Sequence, residues 1–263
     1  MKNMSDLFCR QQSRLIINNM RIKGNSNRDC PFLKYDFCEV PVLKYDVQID
    51  ENLYKTYSDI RLGILHFKAD VKQPSDDFWK YMSDEVEPKI KNEIDEKGWN
   101  DIAGVRGSRA VYKAFGRNPG RYRVSSEALL RRVRRGDSLY HINSVVDVNN
   151  LISIESGLSV GSYDLGHIHG AITFRKAEKG EGYTGIGKGF LDMENMLVLA
   201  DDDGIFGSTM SDSTRAMVSE ESKEILVVIY CFENSIDLQA LVDKAKADFQ
   251  KFANVYDVET WIL

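Results

Sequence analysis

Apolar positions along the chain change period several times, and each change marks an element. Residues 40–49 and 60–71 carry the β-branched and aromatic content of strands. Phe78, Met82, Val86 (or Glu85), Ile90 and Ile94 then recur at near-helical spacing. Ser75, followed by Asp76 and Asp77, has the chemistry of that helix's start, Pro88 should kink or divide it, and Gly98 should end it. A short helix is expected over residues 108–115, closed by Gly116, with a turn at Asn118-Pro119-Gly120. The next begins from a cap at Ser125 or Ser126 and runs to residue 133, with Gly136 beyond its end and Ala128, Leu129 and Val133 as its apolar stripe. Residues 145–154 fit either period. Short strands follow over 171–175, 196–200 and 225–232. A helix over 238–252 has Leu238, Leu241, Val242, Ala245, Phe249 and Phe252 on one face, and a strand over 258–263 ends the series. Helices and strands interleave without regular βαβ alternation, so the fold class is α+β, with mixed or antiparallel sheets and flanking helices.

Residues 1–38 fit none of these patterns. They are rich in Asn, Arg and Ser, hold three of the four cysteines, and contain Met4 and Met20 as further possible starts. The expectation is a poorly structured extension over 1–38 and a single domain over 39–263. A length of 263 residues with 43% apolar and 29% charged residues suffices for a core without disulfide staples. The cysteines show neither zinc-site spacing nor a disulfide framework. No apolar run approaches a membrane span and no signal peptide is evident, so a cytoplasmic protein is expected, with no membrane partner.

Charge changes the picture locally. The net charge is −5, yet residues 101–135 hold ten basic and only two acidic residues, Asp101 and Glu127. A basic surface on an acidic body attracts a polyanion selectively. Arg117, Arg121 and Arg123, with Tyr122 as a stacking face, and Arg131, Arg132, Arg134 and Arg135 in the last turn of the next helix are the candidate contacts.

Other motifs read as local structure. Gly157-Leu158-Ser159-Val160-Gly161 matches a hydrolase nucleophile elbow, but the flanking residues predict neither the strand before it nor the helix after it. His167 and His169 lack a nominated third metal ligand, and Asp201-Asp202-Asp203-Gly204 reads as a tight turn after a strand. Gly185-Ile186-Gly187-Lys188-Gly189 lacks the context of a phosphate loop and reads as a turn or bulge. No metal and no cofactor are expected.

The run Tyr140-His141-Ile142-Asn143-Ser144-Val145-Val146-Asp147-Val148-Asn149-Asn150 resembles the hallmark segment of the B-three/B-four editing module of the bacterial phenylalanyl-tRNA synthetase beta subunit. The likeness continues through Ser156-Gly157, Tyr163-Asp164, Ile168-His169-Gly170, Phe174-Arg175-Lys176-Ala177, Leu199-Ala200-Asp201-Asp202 and residues 225–232. Residues 121–132 are similar to free-standing proteins that carry this module alone.

The resemblance implies an editing-domain-like α+β fold and a trans-editing deacylase that hydrolyses the ester of a mischarged tRNA, with no synthetase catalytic domain. Its implied partner is the aminoacylated acceptor end of tRNA, not DNA, with Arg117, Arg121, Arg123, Arg131, Arg132 and Arg135 drawing it in. The synthetase has a histidine where this chain has Gly161, a glutamate where it has Val228, and a glycine pair near Asp212-Ser213. Gly161, Val228, Ser211 and Ser213 are therefore the implied amino-acid pocket. Asp212, Ser208 and Asn150 are the candidates for orienting water, while Asn143, Asp147 and Asn150 also suit a role in holding the fold. Two alternatives stay open: a non-catalytic module that binds tRNA or an amino acid, and a serine esterase built on Ser159. Oligomeric state has no signature in the sequence.

Overall fold

A computed structural model describes residues 45–98 and 101–263, so the expectation for residues 1–38 lies outside the described residues. Its centre is a four-stranded antiparallel sheet in the order β10-β2-β9-β3, formed by β2 (Arg61–Ala69), β3 (Ser159–Asp164), β9 (Glu224–Cys231) and β10 (Val255–Ile262). A second sheet has the order β1-β4-β7-β8: β1 (Val47–Ile49) pairs in parallel with β4 (Ile172–Lys176), then β7 (Leu197–Asp201) and β8 (Gly204–Ser208) add antiparallel. A hairpin of β5 (Gly182–Thr184) and β6 (Phe190–Asp192) forms a third, two-stranded sheet.

Side chains of a strand alternate between faces, and the central sheet uses both. Ile225, Val227, Ile229 and Cys231 of β9 join one apolar cluster, which the helices cover. Leu226, Val228, Tyr230 and Phe232 join a second cluster, shared with the second sheet. A strand buried on both faces reads as a continuous apolar run, as residues 225–232 do.

The helical layer follows the predicted stripes. Ser75 accepts the Phe78 N–H and caps α1 (Asp76–Tyr81), a π-helical turn spans Met82–Val86, and α2 (Glu87–Lys97) starts with Pro88 in its first turn. The backbone stays helical from Asp76 to Lys97, so Pro88 does not divide it; the break in α geometry is the π-helical turn just before Pro88. Phe78, Met82, Val86, Ile90 and Ile94 are all buried, and Gly98 ends α2 at φ 82°.

The next helix, α3 (Ala103–Ala114), starts five residues earlier than the sequence predicts. Gly104 and Gly107 lower helix propensity, but here they permit backbone approach. A Cβ on Gly104 would lie 2.5 Å from the Gly157 carbonyl carbon, and one on Gly107 2.6 Å from the Phe232 oxygen. In α4 (Ser125–Arg135) the buried stripe is Ser126, Glu127, Leu130 and Val133. Ala128 is exposed, and Val124 stands at the N-cap in place of a serine. The rotation follows from Glu127, which is held inside by Arg109 and Arg131 at 2.8 Å each. The ambiguous segment is α5 (Ser144–Ser156), and α6 (Leu238–Phe252) has the predicted bounds. No helix among the described residues is long and apolar enough to cross a membrane.

Candidate functional site

The site is built on the loop that leaves β8. Ser208 Oγ accepts the N–H groups of Met210 and Ser211, both at 3.2 Å, and donates to the Ser211 carbonyl at 3.0 Å. This turn brings Asp212 back over the end of its own strand, where Oδ1 accepts the Ser208 N–H at 3.4 Å.

Four tyrosine hydroxyls from four elements converge on this loop. Tyr163 of β3 donates to Asp212 Oδ1 at 2.7 Å, and its hydroxyl also lies 2.7 Å from that of Tyr230 on β9. Tyr183 of β5 reaches Ser208 Oγ at 2.9 Å and the Ser211 carbonyl. Tyr112 of α3 pairs with Thr209 Oγ1. All four are buried. Buried hydroxyls need partners; Tyr163, Tyr183 and Tyr112 find theirs on the loop and Tyr230 reaches it through Tyr163, so the phenols fix its shape.

Asp212 is half-buried, and its Oδ2 takes no hydrogen bond among the described residues. Removal from water pushes its pKa up to about 7, against the opposing pull of the Tyr163 hydroxyl, the Ser208 N–H and the Lys188 charge. Burial, and then the negative charge of Asp212, raise Tyr163 and Tyr230 well above the ordinary phenol range. A carboxyl that titrates near neutrality with one oxygen free can accept or release a proton at working pH.

Ser208, Ser211, Asp212 and Ser213 therefore lie together, Ser213 buried with its Oγ unpartnered among the described residues. Gly161 and Val228 are register partners across β3 and β9 on the face that carries Tyr163 and Tyr230. They do not line an open pocket wall. Val228 is fully buried, and a Cβ on Gly161 would lie 2.1 Å from the Tyr163 hydroxyl. A Cβ on Gly207 would lie 2.4 Å from the same oxygen. The phenol fills the space that side chains at 161 and 207 would need. Asn150 is not brought to the loop: it belongs to α5, whose apolar residues pack on the opposite face of the central sheet. On the same helix Asn143 caps the first turn by accepting the N–H groups of Val145 and Val146. Asp147 accepts the Ile142 N–H. Both hold the fold.

The basic segment abuts this loop. The Ser125 N–H, at the start of α4, donates to the Thr209 carbonyl at 2.8 Å, and the Arg117 N–H to the Tyr112 carbonyl at 2.8 Å. The guanidinium groups of Arg117 and Arg121 lie 4.8 and 5.6 Å from the Tyr122 ring centroid. Neither these two nor Arg123 has an acidic partner among the described residues. The helical arginines differ. Arg131 is held by Glu127, Arg134 faces Asp95 and Arg135 pairs with Asp137. Arg132 instead bonds the Ser138 carbonyl and the Tyr140 hydroxyl.

The remaining motifs take structural places. Ser159 is a buried residue at the start of β3 near Ser126, and Gly157 ends α5, so no strand-to-helix elbow exists there. His169, Asp201 and Asp203 gather their ligand atoms within 4.8 Å, but Arg215 already takes both Asp201 oxygens at 2.8 Å. The tight turn predicted after residue 200 is the β7–β8 connection.

Tyr163 and Tyr183 were missed because β3 and the β5–β6 hairpin, rich in Gly and Ser, have no strand signature; Tyr230 and Tyr112 lie in a predicted strand and a predicted helix, and no local pattern shows that they meet this loop. Period-2 spacing of Gly161 and Tyr163 would have paired them on one face.

Residues 107–260 match the B3/4 domain family, and the chain belongs to that family. Over 200 residues it is 28% identical to the phenylalanine–tRNA ligase beta subunit of Vibrio parahaemolyticus serotype O3:K6, covering 69% of this chain and 22% of that one. The chain thus spans about a fifth of that relative's length. A crystal structure of an N-terminal fragment of the phenylalanyl-tRNA synthetase beta subunit from Pyrococcus horikoshii aligns with 83% of this chain and 50% of its own, at 13% identity and a TM-score of 0.40.

Proposed function

We propose that the protein is a trans-acting aminoacyl-tRNA deacylase, with residues 39–263 as one editing-type unit working in the cytoplasm. The observation that carries this reading is Asp212, a carboxyl titrating near neutrality with a free oxygen, on a loop hydrogen-bonded to an unneutralised arginine segment. Membership of a family that includes part of a tRNA ligase subunit supports tRNA as the polyanion. Arg117, Arg121 and Arg123 hold the acceptor end by its phosphates, and Tyr122 offers a face for stacking. Ionised Asp212 takes a proton from water through Oδ2 as the water oxygen attacks the ester carbonyl carbon. The bond to the ribose oxygen then breaks, and that oxygen leaves as a hydroxyl. The ester is already activated, so a positioned water and a stabilised oxyanion suffice.

The second reading is a binding module without hydrolysis. The packing favours it at one point: the Tyr163 hydroxyl fills the space beside Gly161, where the synthetase resemblance puts a histidine. One experiment separates the two. Purified protein is incubated with a panel of correctly and incorrectly charged tRNAs, and amino-acid release is measured against spontaneous hydrolysis. Release of a particular amino acid, abolished by Asp212→Asn with tRNA binding retained, is the expected result. Binding without release across the panel refutes the deacylase.

A further inference from the structure

Hydrolysis of an ester needs a donor for the carbonyl oxygen as well as an acceptor for the water proton, and the phenols around Asp212 are already committed. Tyr163 donates to Asp212, Tyr230 pairs with Tyr163, and Tyr183 and Tyr112 engage the Ser208–Ser213 loop. The tip of the β5–β6 hairpin is a further element bonded to the Asp212 segment, and it carries a cation.

That tip is anchored to the site. The Ile186 N–H donates to the Asp212 carbonyl at 3.0 Å, the Thr214 N–H to the Thr184 carbonyl at 3.0 Å, and Gly185 bridges to Ser213. The Lys188 N–H closes the tip on the Gly185 carbonyl at 3.0 Å, and Gly187 turns the chain at φ 66°. Glycines at 185, 187 and 189 leave Ile186 and Lys188 as the side chains the tip presents. Lys188 is exposed and has no carboxylate partner among the described residues, and its charge is felt at Asp212.

We propose that Lys188 is the electrophilic partner of Asp212: its ammonium holds the carbonyl oxygen of the bound aminoacyl ester and stabilises the oxyanion that forms on it. This rests on the deacylase reading and completes its chemistry. Water attacks the carbonyl carbon, the pair of electrons moves onto the oxygen facing Lys188, and collapse expels the ribose oxygen, which takes the proton held by Asp212. A glycine-rich tip suits this role because it carries few other side chains that could obstruct the ester.

The test is single-turnover hydrolysis of the charged tRNA that the wild type releases, compared across wild type, Lys188→Met and Lys188→Arg, with tRNA affinity measured separately. Loss of a single oxyanion donor predicts a fall of roughly 10²–10³-fold in the rate constant for Lys188→Met. Affinity should stay within about twofold, since the phosphates are held elsewhere, and Lys188→Arg should recover part of the rate. The groups that act on Asp212 are Tyr163, Tyr230, Tyr183, the Ser208 N–H and Lys188. With the only cation among these removed, the rising limb of the pH–rate profile should move to higher pH, a displacement that a folding defect does not produce. An unchanged rate constant, or a weaker affinity with an unchanged rate constant, overturns the proposal and leaves the deacylase standing. A wild type that releases no amino acid overturns both.

Discussion

Tyr163→Phe removes one oxygen atom and tests the network that sets Asp212. The change deletes the donor 2.7 Å from Asp212 Oδ1 and the partner 2.7 Å from the Tyr230 hydroxyl. A hydrogen bond to an ionised group contributes about 1.5–3 kcal/mol, and the lower end applies because Asp212 is half-exposed. One pKa unit corresponds to about 1.4 kcal/mol, so the Asp212 value should rise from about 7 by roughly one further unit. The Tyr230 hydroxyl, fully buried, loses its partner at a cost of about 1–3 kcal/mol at any pH below its own titration. The native value of Asp212 lies above the ordinary 3.8, so its contribution to stability is present in acid and is lost as pH rises through about 7. The deficit of the variant should therefore grow by about 1.4 kcal/mol between pH 5 and pH 9. Carbon-detected titration of the Asp212 carboxyl and urea unfolding at both pH values are the assays. An unmoved carboxyl titration together with a pH-independent deficit would refute the network.

Other sites make separable predictions. Gly161→Ala forces a Cβ against the Tyr163 hydroxyl and should destabilise by about 1–3 kcal/mol; combined with Tyr163→Phe it should cost clearly less than the sum, and strict additivity in urea unfolding would contradict the packing. Burial pushes Asp147 up to about 7, so its contribution, up to about 4 kcal/mol, is present in acid and lost as pH rises toward 8. Asp147→Asn should flatten that slope, and an equal slope in both proteins would show that Asp147 does not titrate there. Arg121→Ala with Arg123→Ala should weaken tRNA binding and reduce its salt dependence, while Arg135→Ala, which removes a residue paired with Asp137, should do so less; equal effects would mean the ion pair does not restrain Arg135. Glu127→Gln, at a carboxylate 1% exposed between Arg109 and Arg131, should lower stability by about 1–3 kcal/mol in thermal or urea unfolding, less than for a fully buried pair because the two arginines stay 30% and 41% exposed, and a neutral result would show that the two ion pairs add nothing to the fold.

Where one periodicity dominated, the sequence was a sufficient guide. The helices that carry Phe78 to Ile94 and Leu238 to Phe252 emerge close to their predicted bounds because their apolar stripes coincide with the buried face. Where tertiary contact outvoted local preference, it was not. Gly104 and Gly107 argue against a helix alone, yet in the fold they admit a neighbouring backbone. Glu127 looks like a surface residue until Arg109, eighteen positions away, neutralises it. At the candidate site the loop Ser208–Ser213 was legible as a polar segment, but its four phenols come from distant positions and converge only in three dimensions. The separation of Asn150 from that loop was equally hidden, because nothing in the chain's local pattern shows that a sheet lies between them.

Strand β9 carries two independent alphabets. Its odd-numbered residues answer to the helical layer and its even-numbered ones to the layer that holds Asp212. Substitutions at 226, 228 or 230 can therefore retune the site while leaving the helical packing intact, and substitutions at 225, 227 or 229 can adjust robustness while leaving the site intact. A single insertion or deletion within the strand would exchange the two alphabets at once. Diversification of this chain, natural or in the laboratory, should therefore proceed by replacement along β9 and tolerate almost no change in its length.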